Sequence, residues 1–196
     1  MQRLLLVNEA DGSQIIFIKK WCDSSQADKL LERCRALETK HYNFKWYGRP
    51  LKQTRLLWAC GDKGTFHEFG GETVAIAEWD SAFASVRERL VKEFDVYTNF
   101  CLVNHYRNGL DSIALHSDGE LHAKNKSVFT LSLGATRKMK LLDTRTNREI
   151  LINLEHGDLL LMCGNTQSHW KHGIDVEPLV KDARYSLTLR STKLKV

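Results

Sequence analysis

Apolar positions along this chain change their spacing about halfway through. In the first half they recur twice at the three-and-four interval of an amphipathic helix. Ala27, Leu30, Leu31, Cys34 and Leu37 share one face, with Ser24 or Ser25 placed to cap the start of that helix. Phe83, Val86, Leu90, Val91 and Phe94 share another, from a start near Asp80. A short strand is expected at 15–18, after an apolar patch at 4–7. Residues 41–75 show no period. They are crowded with aromatic, glycine and basic residues and read as irregular.

From Phe100 onward the alternation becomes period two, the signature of half-buried strands. The runs are 100–106, 112–118, 127–133, 138–143, 149–154, 158–163, 168–174 and 183–190. Asn108-Gly109, Asp118-Gly119 and His156-Gly157 supply turn signals between several of them. Eight short strands after two helices predict a mainly β (α+β) chain, a jelly roll with helices packed on one sheet. Folds of this kind hold ligands between their sheets. With 196 residues and 42% hydrophobic content, one domain is expected. Residues 1–98 would form an N-terminal extension and recognition lid, and 99–196 the core.

Composition narrows the setting. A formal charge of +5 is compatible with a polyanionic partner, though mildly basic proteins with no such partner are common. Five cysteines, an odd number without a C-x-x-C pair, argue against a disulfide framework or zinc knuckle and for a reducing compartment. The first 18 residues match neither a signal peptide nor a membrane span. A soluble, intracellular monomer that does not engage membranes is expected.

Candidate chemistry begins at His116-Ser117-Asp118. Residues i and i+2 of a strand share a face, so this imidazole and carboxylate can reach one ion. His172 is the best third ligand, with His169 a rival of opposite strand parity. Two histidines and a carboxylate make the facial triad of non-haem iron oxygenases. Taken alone, H-x-D is more often a surface histidine beside a turn aspartate. The last strand puts Arg184, Ser186, Thr188 and Arg190 on one face and Tyr185, Leu187 and Leu189 on the other. The polar face either meets solvent, the usual account, or lines a cavity for a small dianion, since arginine's planar fork suits carboxylates. Asn104 and Tyr106, again at i and i+2, add an amide and a phenol.

In order and spacing these pieces resemble the AlkB family: N-x-Y-x-x-G (104–109), H-x-D-x-E (116–120), N-T-x-x-H-W-x-H (165–172) and R-x-x-x-x-x-R (184–190). The resemblance implies a double-stranded β-helix and a nucleic-acid dioxygenase. Fe(II) would sit on His116, Asp118 and His172. Asn104, Tyr106, Arg184, Ser186 and Arg190 would hold 2-oxoglutarate, consumed with O2 to give succinate, CO2 and an aldehyde from an N-alkylated base. Ser186 departs from the asparagine many members carry. Glu120 stands where relatives read the damaged base, and Phe69 where an aromatic stacks on it. His67 stands where relatives often have tyrosine. Phe44, Lys45 and Arg49, within an aromatic and basic stretch, are a candidate nucleic-acid edge, with single strands slightly favoured; core packing competes for Phe44. A same-fold dioxygenase of protein or small molecules, or an inactive binding module, are the alternatives.

Overall fold

The computed structural model describes residues 1–42, 44–46, 49–51, 53–69, 72–119 and 126–192, with side chains for all of these except 44–46, 49–51 and 69. The first half contains β1 (Gln2–Asn8), β2 (Gln14–Lys19), α1 (Ser24–Arg35), β3 (Phe44–Trp46), β4 (Arg49–Leu51), β5 (Leu56–Gly61), β6 (Glu68–Phe69), β7 (Glu72–Thr73), β8 (Ile76–Ala77) and α2 (Ser81–Phe94). The second contains β9 (Phe100–Tyr106), β10 (Ile113–His116), β11 (Val128–Gly134), β12 (Arg137–Asp143), β13 (Glu149–Leu154), β14 (Leu159–Cys163), α3 (Thr166–His169), β15 (Trp170–Ile174) and β16 (Arg184–Arg190).

Two sheets face each other. The major one runs β1-β2-β14-β11-β16-β9-β5-β8 and the minor one β10-β15-β12-β13. Alternation along the strands sorts the major sheet into two faces. Ile16, Ile18, Val103, Phe129, Leu131, Leu187 and Leu189 point outward and pack under the helices, against Ala27, Leu31, Phe83 and Leu90. Ile15, Phe17, Tyr106, Val128, Leu160 and Met162 point inward and meet Met139, Leu141, Leu154, Trp170 and Ile174 of the minor sheet. Burial of each large side chain contributes about 2 kcal/mol, so both layers hold the sandwich together.

Both long helices are capped by carboxylates. Asp23 accepts the Gln26 N–H, which displaces the expected serine cap one residue upstream. Asp80 accepts the Ala82 N–H and also holds Arg33 of α1 at 2.7 Å, pinning one helix to the other.

Several expectations need correction. The stretch 41–75 is not irregular throughout: β5 lies inside the major sheet between β9 and β8, and its run Leu-Leu-Trp-Ala-Cys-Gly is too uniformly apolar to show a period. The patch at 4–7 belongs to β1. The expected strand at 168–174 begins instead as the single turn α3. β10 ends at His116, so Asp118 lies in the turn beyond it. Because β1, β2, β5 and β8 belong to the major sheet, residues 1–98 build that sheet as much as 99–196 do.

Candidate active site

β10 and β15 bring two imidazoles together, their planes inclined at 51°. His116 and His172 are register partners, with ring centroids 4.3 Å apart. Gly173 makes the approach feasible, because a Cβ there would lie 2.9 Å from the Ile113 carbonyl oxygen and 3.1 Å from the Leu115 nitrogen. Asp118, in the turn after β10, completes the group: one donor atom from each of His116, Asp118 and His172 lies within 4.8 Å of the others. His116 Nδ1 sits 2.9 Å from the Ala114 carbonyl oxygen, so that nitrogen carries the proton and Nε2 is left to bind an ion. His172 Nε2 is 3.7 Å from Asp118 Oδ2.

The electrostatics favour a cation. Burial pushes the Asp118 carboxyl up, but Arg190, His172, His116 and His67 outweigh it and hold the group below the usual carboxylate range. Burial, reinforced by His116, lowers His172 to about 3, and burial also lowers His116. The triad therefore stands as one carboxylate and two neutral imidazoles. Asp118 Oδ2 and His172 Nδ1 are buried without hydrogen-bond partners. Two buried, unpartnered polar atoms in a set of N and O donors fit a divalent transition metal.

Beside the triad opens a cavity of about 320 Å³. Asn104, Thr130, Ser186, Thr188 and Arg190 line its major-sheet wall. Arg190 reaches across it, NH1 donating to Asp118 Oδ1 at 2.5 Å, with its guanidinium 5.3 Å over the Phe100 ring. The polar face of β16 is buried, not solvent-facing: Arg184 is 1% exposed and Arg190 5%.

Arg184 and Tyr106 are register partners one row beyond the cavity lining. Arg184 Nε donates to Ser132 Oγ at 2.9 Å, while both terminal nitrogens, NH1 and NH2, are buried without a well-formed hydrogen bond and have only the Tyr106 side chain as a weak polar neighbour. Its guanidinium lies 5.2 Å over the Tyr106 ring, and desolvation lowers its pKa. Poorly partnered N–H groups on a buried cation call for an anion. A carboxylate supplies the matching geometry.

His67 lines the cavity, 5% exposed, its ring 5.0 Å from that of Phe100. Phe69, Phe44, Lys45 and Arg49 have their backbones in β6, β3 and β4, and their side chains lie outside the described ones. Glu120 lies outside the described residues. His169 is turned away from the triad, its Nε2 3.5 Å from Asp11 Oδ2.

Two cavity residues, Arg55 and Ser117, carried no clear sequence signal. Arg55, 9% exposed, donates through Nε to Asn104 Oδ1 at 2.7 Å, and burial lowers its pKa. A lone arginine just before the apolar run of β5 was the only hint. Thr188 shares the wall, as its period-two parity allowed. Ser117 lines the cavity and donates to the Trp170 carbonyl oxygen at 3.0 Å.

Comparison with known proteins agrees with this geometry. Residues 14–190 match the 2OG-Fe(II) oxygenase superfamily, and the chain belongs to it. The group described by that name uses Fe(II), 2-oxoglutarate and O2, which the donor set at 116, 118 and 172 and the buried arginines fit. The mouse protein named "DNA oxidative demethylase ALKBH2" is 32% identical over 155 residues, 74% of this chain and 63% of that protein. Human "Alpha-ketoglutarate-dependent dioxygenase alkB homolog 3" is 31% identical over 123 residues, 58% of this chain and 43% of that one. The solved structure "The structure of OsALKBH1" superposes with a TM-score of 0.63 at 19% identity, covering 90% of this chain and 97% of that one, and shows the shared fold. Within the superfamily the chain is an AlkB-family member. It spans 54–63% of the length of the mouse, bovine and human ALKBH2 proteins it matches.

Proposed function

We propose that this chain oxidatively removes alkyl groups from the bases of DNA or RNA, releasing the alkyl carbon as an aldehyde. The observation that carries the reading is the His116–Asp118–His172 group set beside a cavity walled by Arg190 and backed by Arg184. The names of the relatives support a nucleic-acid substrate, and the +5 charge is compatible with it.

Iron(II) with 2-oxoglutarate and O2 supplies a two-electron oxidation of the alkyl carbon, 2-oxoglutarate leaving as succinate and CO2. His116, Asp118 and His172 would hold the ion by one nitrogen, one oxygen and one nitrogen, beside the cavity they help to line. Arg184 and Tyr106 take one carboxylate of the co-substrate, and Arg190 with Asn104 and Ser186 the other end. Arg55 braces Asn104 through its carbonyl oxygen, and the amide nitrogen donates weakly to Thr188 Oγ1 at 3.5 Å, which leaves its other N–H for an acceptor. The target base must leave its stack to enter, which favours a single-stranded substrate. His67 stands at the wall where the base would lie, with Phe69 and Glu120 as its further contacts. Phe44, Lys45 and Arg49 form the strand-binding edge, and the chain acts as a monomer.

Succinate release tests the reading, measured with N-alkylated oligonucleotides of DNA and RNA in single- and double-stranded form. Succinate formed in step with loss of the alkyl group is expected, fastest on single strands. Succinate formation that ignores every nucleic acid and responds to a peptide would overturn the substrate class. Metal binding without any turnover would leave an inactive binding module.

A further inference from the structure

We infer that Gln167 is a positioning residue that sets the metal-ligating geometry of Asp118; the inference rests on the metal-centre reading above. In a continued antiparallel ladder, the pairing of His116 with His172 would be followed by Asp118 opposite Trp170. The register of β10 against β15 shifts between Ile113 and His116, and β10 ends there. Asp118 thus leaves the ladder just where its carboxylate is needed. Gly119 behind it is exposed, with no described residue within 4 Å of where its Cβ would be. Among the described residues, no packing from that side fixes the Asp118 peptide.

Gln167 replaces the missing ladder bond. Its Oε1 accepts the Asp118 backbone N–H at 2.9 Å. The amide is held in that sense by its other end, since Nε2 lies 3.8 Å from Met162 Sδ; a flipped amide would aim a donor at a donor. Next to it, Ser117 Oγ spans to the Trp170 carbonyl oxygen. The base of this strut is firm. α3 is one turn, closed by the Trp170 N–H on the Thr166 carbonyl oxygen, and Thr166 is fully buried. Asn165 ahead of it donates to the Asp11 carbonyl oxygen at 2.6 Å. α3 then runs directly into β15, which carries His172. One short element therefore locks two arms of the triad together, the His172 arm through the chain and the Asp118 arm through an amide.

Groups of this kind that orient metal ligands change affinity about 10- to 100-fold when removed. The test is anaerobic titration with Co(II), read by its visible absorption band, on wild type, Gln167→Met, Gln167→Ala and Gln167→Glu. Methionine keeps the length and loses the acceptor, alanine loses both, and glutamate keeps an acceptor. Met and Ala variants are expected to bind Co(II) at least about 10-fold more weakly, with an altered band and an unchanged melting temperature before metal is added. The Glu variant should bind as tightly as wild type or tighter, with the wild-type band. Wild-type affinity and band in a folded Met or Ala variant overturn the proposal, as does a folded Glu variant as weak as those two. Should methionine prevent folding, the alanine variant decides by the same readout. A wild-type protein that takes up no Co(II) instead sinks the metal centre itself, and the role of Gln167 falls with it.

Discussion

Replacing Arg184 by methionine separates two properties that usually fall together. In the wild type the guanidinium is fully buried, 1% exposed, and two of its three nitrogens lack a well-formed hydrogen bond, with Tyr106 their weak polar neighbour. Free protein thus carries the desolvation of a cation with one well-formed hydrogen bond, to Ser132 Oγ, in return. Methionine removes that bond, at about 1 kcal/mol, but also removes the buried charge, and its unbranched chain fills most of the space. The two effects oppose each other, so the melting temperature without ligands should stay near wild type or rise. Co-substrate binding should suffer heavily. A carboxylate on NH1 and NH2 would make two charge-assisted bonds of about 1.5–3 kcal/mol each. Losing both, about 3–6 kcal/mol, is a factor of roughly 10² to 10⁴ in affinity. Calorimetric titration of 2-oxoglutarate with Mn(II) in place of iron reads the affinity, and differential scanning fluorimetry the stability. An unchanged 2-oxoglutarate affinity, or a steep fall in melting temperature with affinity intact, would show that Arg184 is a structural cation and not a carboxylate receptor.

Asp118→Ala should abolish succinate release while circular dichroism stays native; turnover at the wild-type rate refutes the triad. Gly173→Ala forces a Cβ to within 2.9 Å of the Ile113 carbonyl oxygen. It should lower stability by about 1–3 kcal/mol and weaken metal uptake by parting β10 from β15, and a variant matching wild type in both would show that the strands yield freely. The Asp111 carboxylate accepts from the Arg107 backbone N–H and from its guanidinium, at 2.8–2.9 Å. Burial raises its pKa, but these bonds outweigh that and leave it below 3.8. A depressed carboxylate stabilises the fold above its unfolded value and loses that contribution as pH falls through its folded value. Asp111→Asn should therefore cost about 1 kcal/mol near neutral pH, discounted for the half-exposed Arg107, and flatten the loss of stability below about pH 4. Urea unfolding across that range checks it, and parallel acid limbs would contradict it.

What was legible in the sequence was whatever lies within a few residues or repeats by a simple period. The spacing of His116 and Asp118, the parity of Arg184, Ser186, Thr188 and Arg190, and the helical stripes of α1 and α2 are of this kind. The parity could not say whether β16's polar face met water or a cavity, because burial depends on the opposing sheet. β5 escaped notice since a strand covered on both faces shows no alternation. Arg55 and Gln167 escaped for another reason: their partners, Asn104 and Asp118, lie 49 residues away in each case. No local pattern encodes such a contact. The run expected as a strand at 168–174 takes in Ser168 and His169, the last two residues of α3, and only the Thr166–Trp170 closure reveals the turn.

The position of β16 ties competence to the arrival of residues 184–190. It is the final strand of the chain described, yet it sits in the interior of the major sheet, between β11 and β9. A nascent chain that has not yet delivered residues 184–190 leaves two long unpaired edges, each a template for wrong partners. That same chain also lacks Arg184 and Arg190. Closing the last seam of the sheet and installing the co-substrate receptor are thus one event, and a fragment that stops short of it gains neither a sealed sandwich nor a grip on the keto-acid.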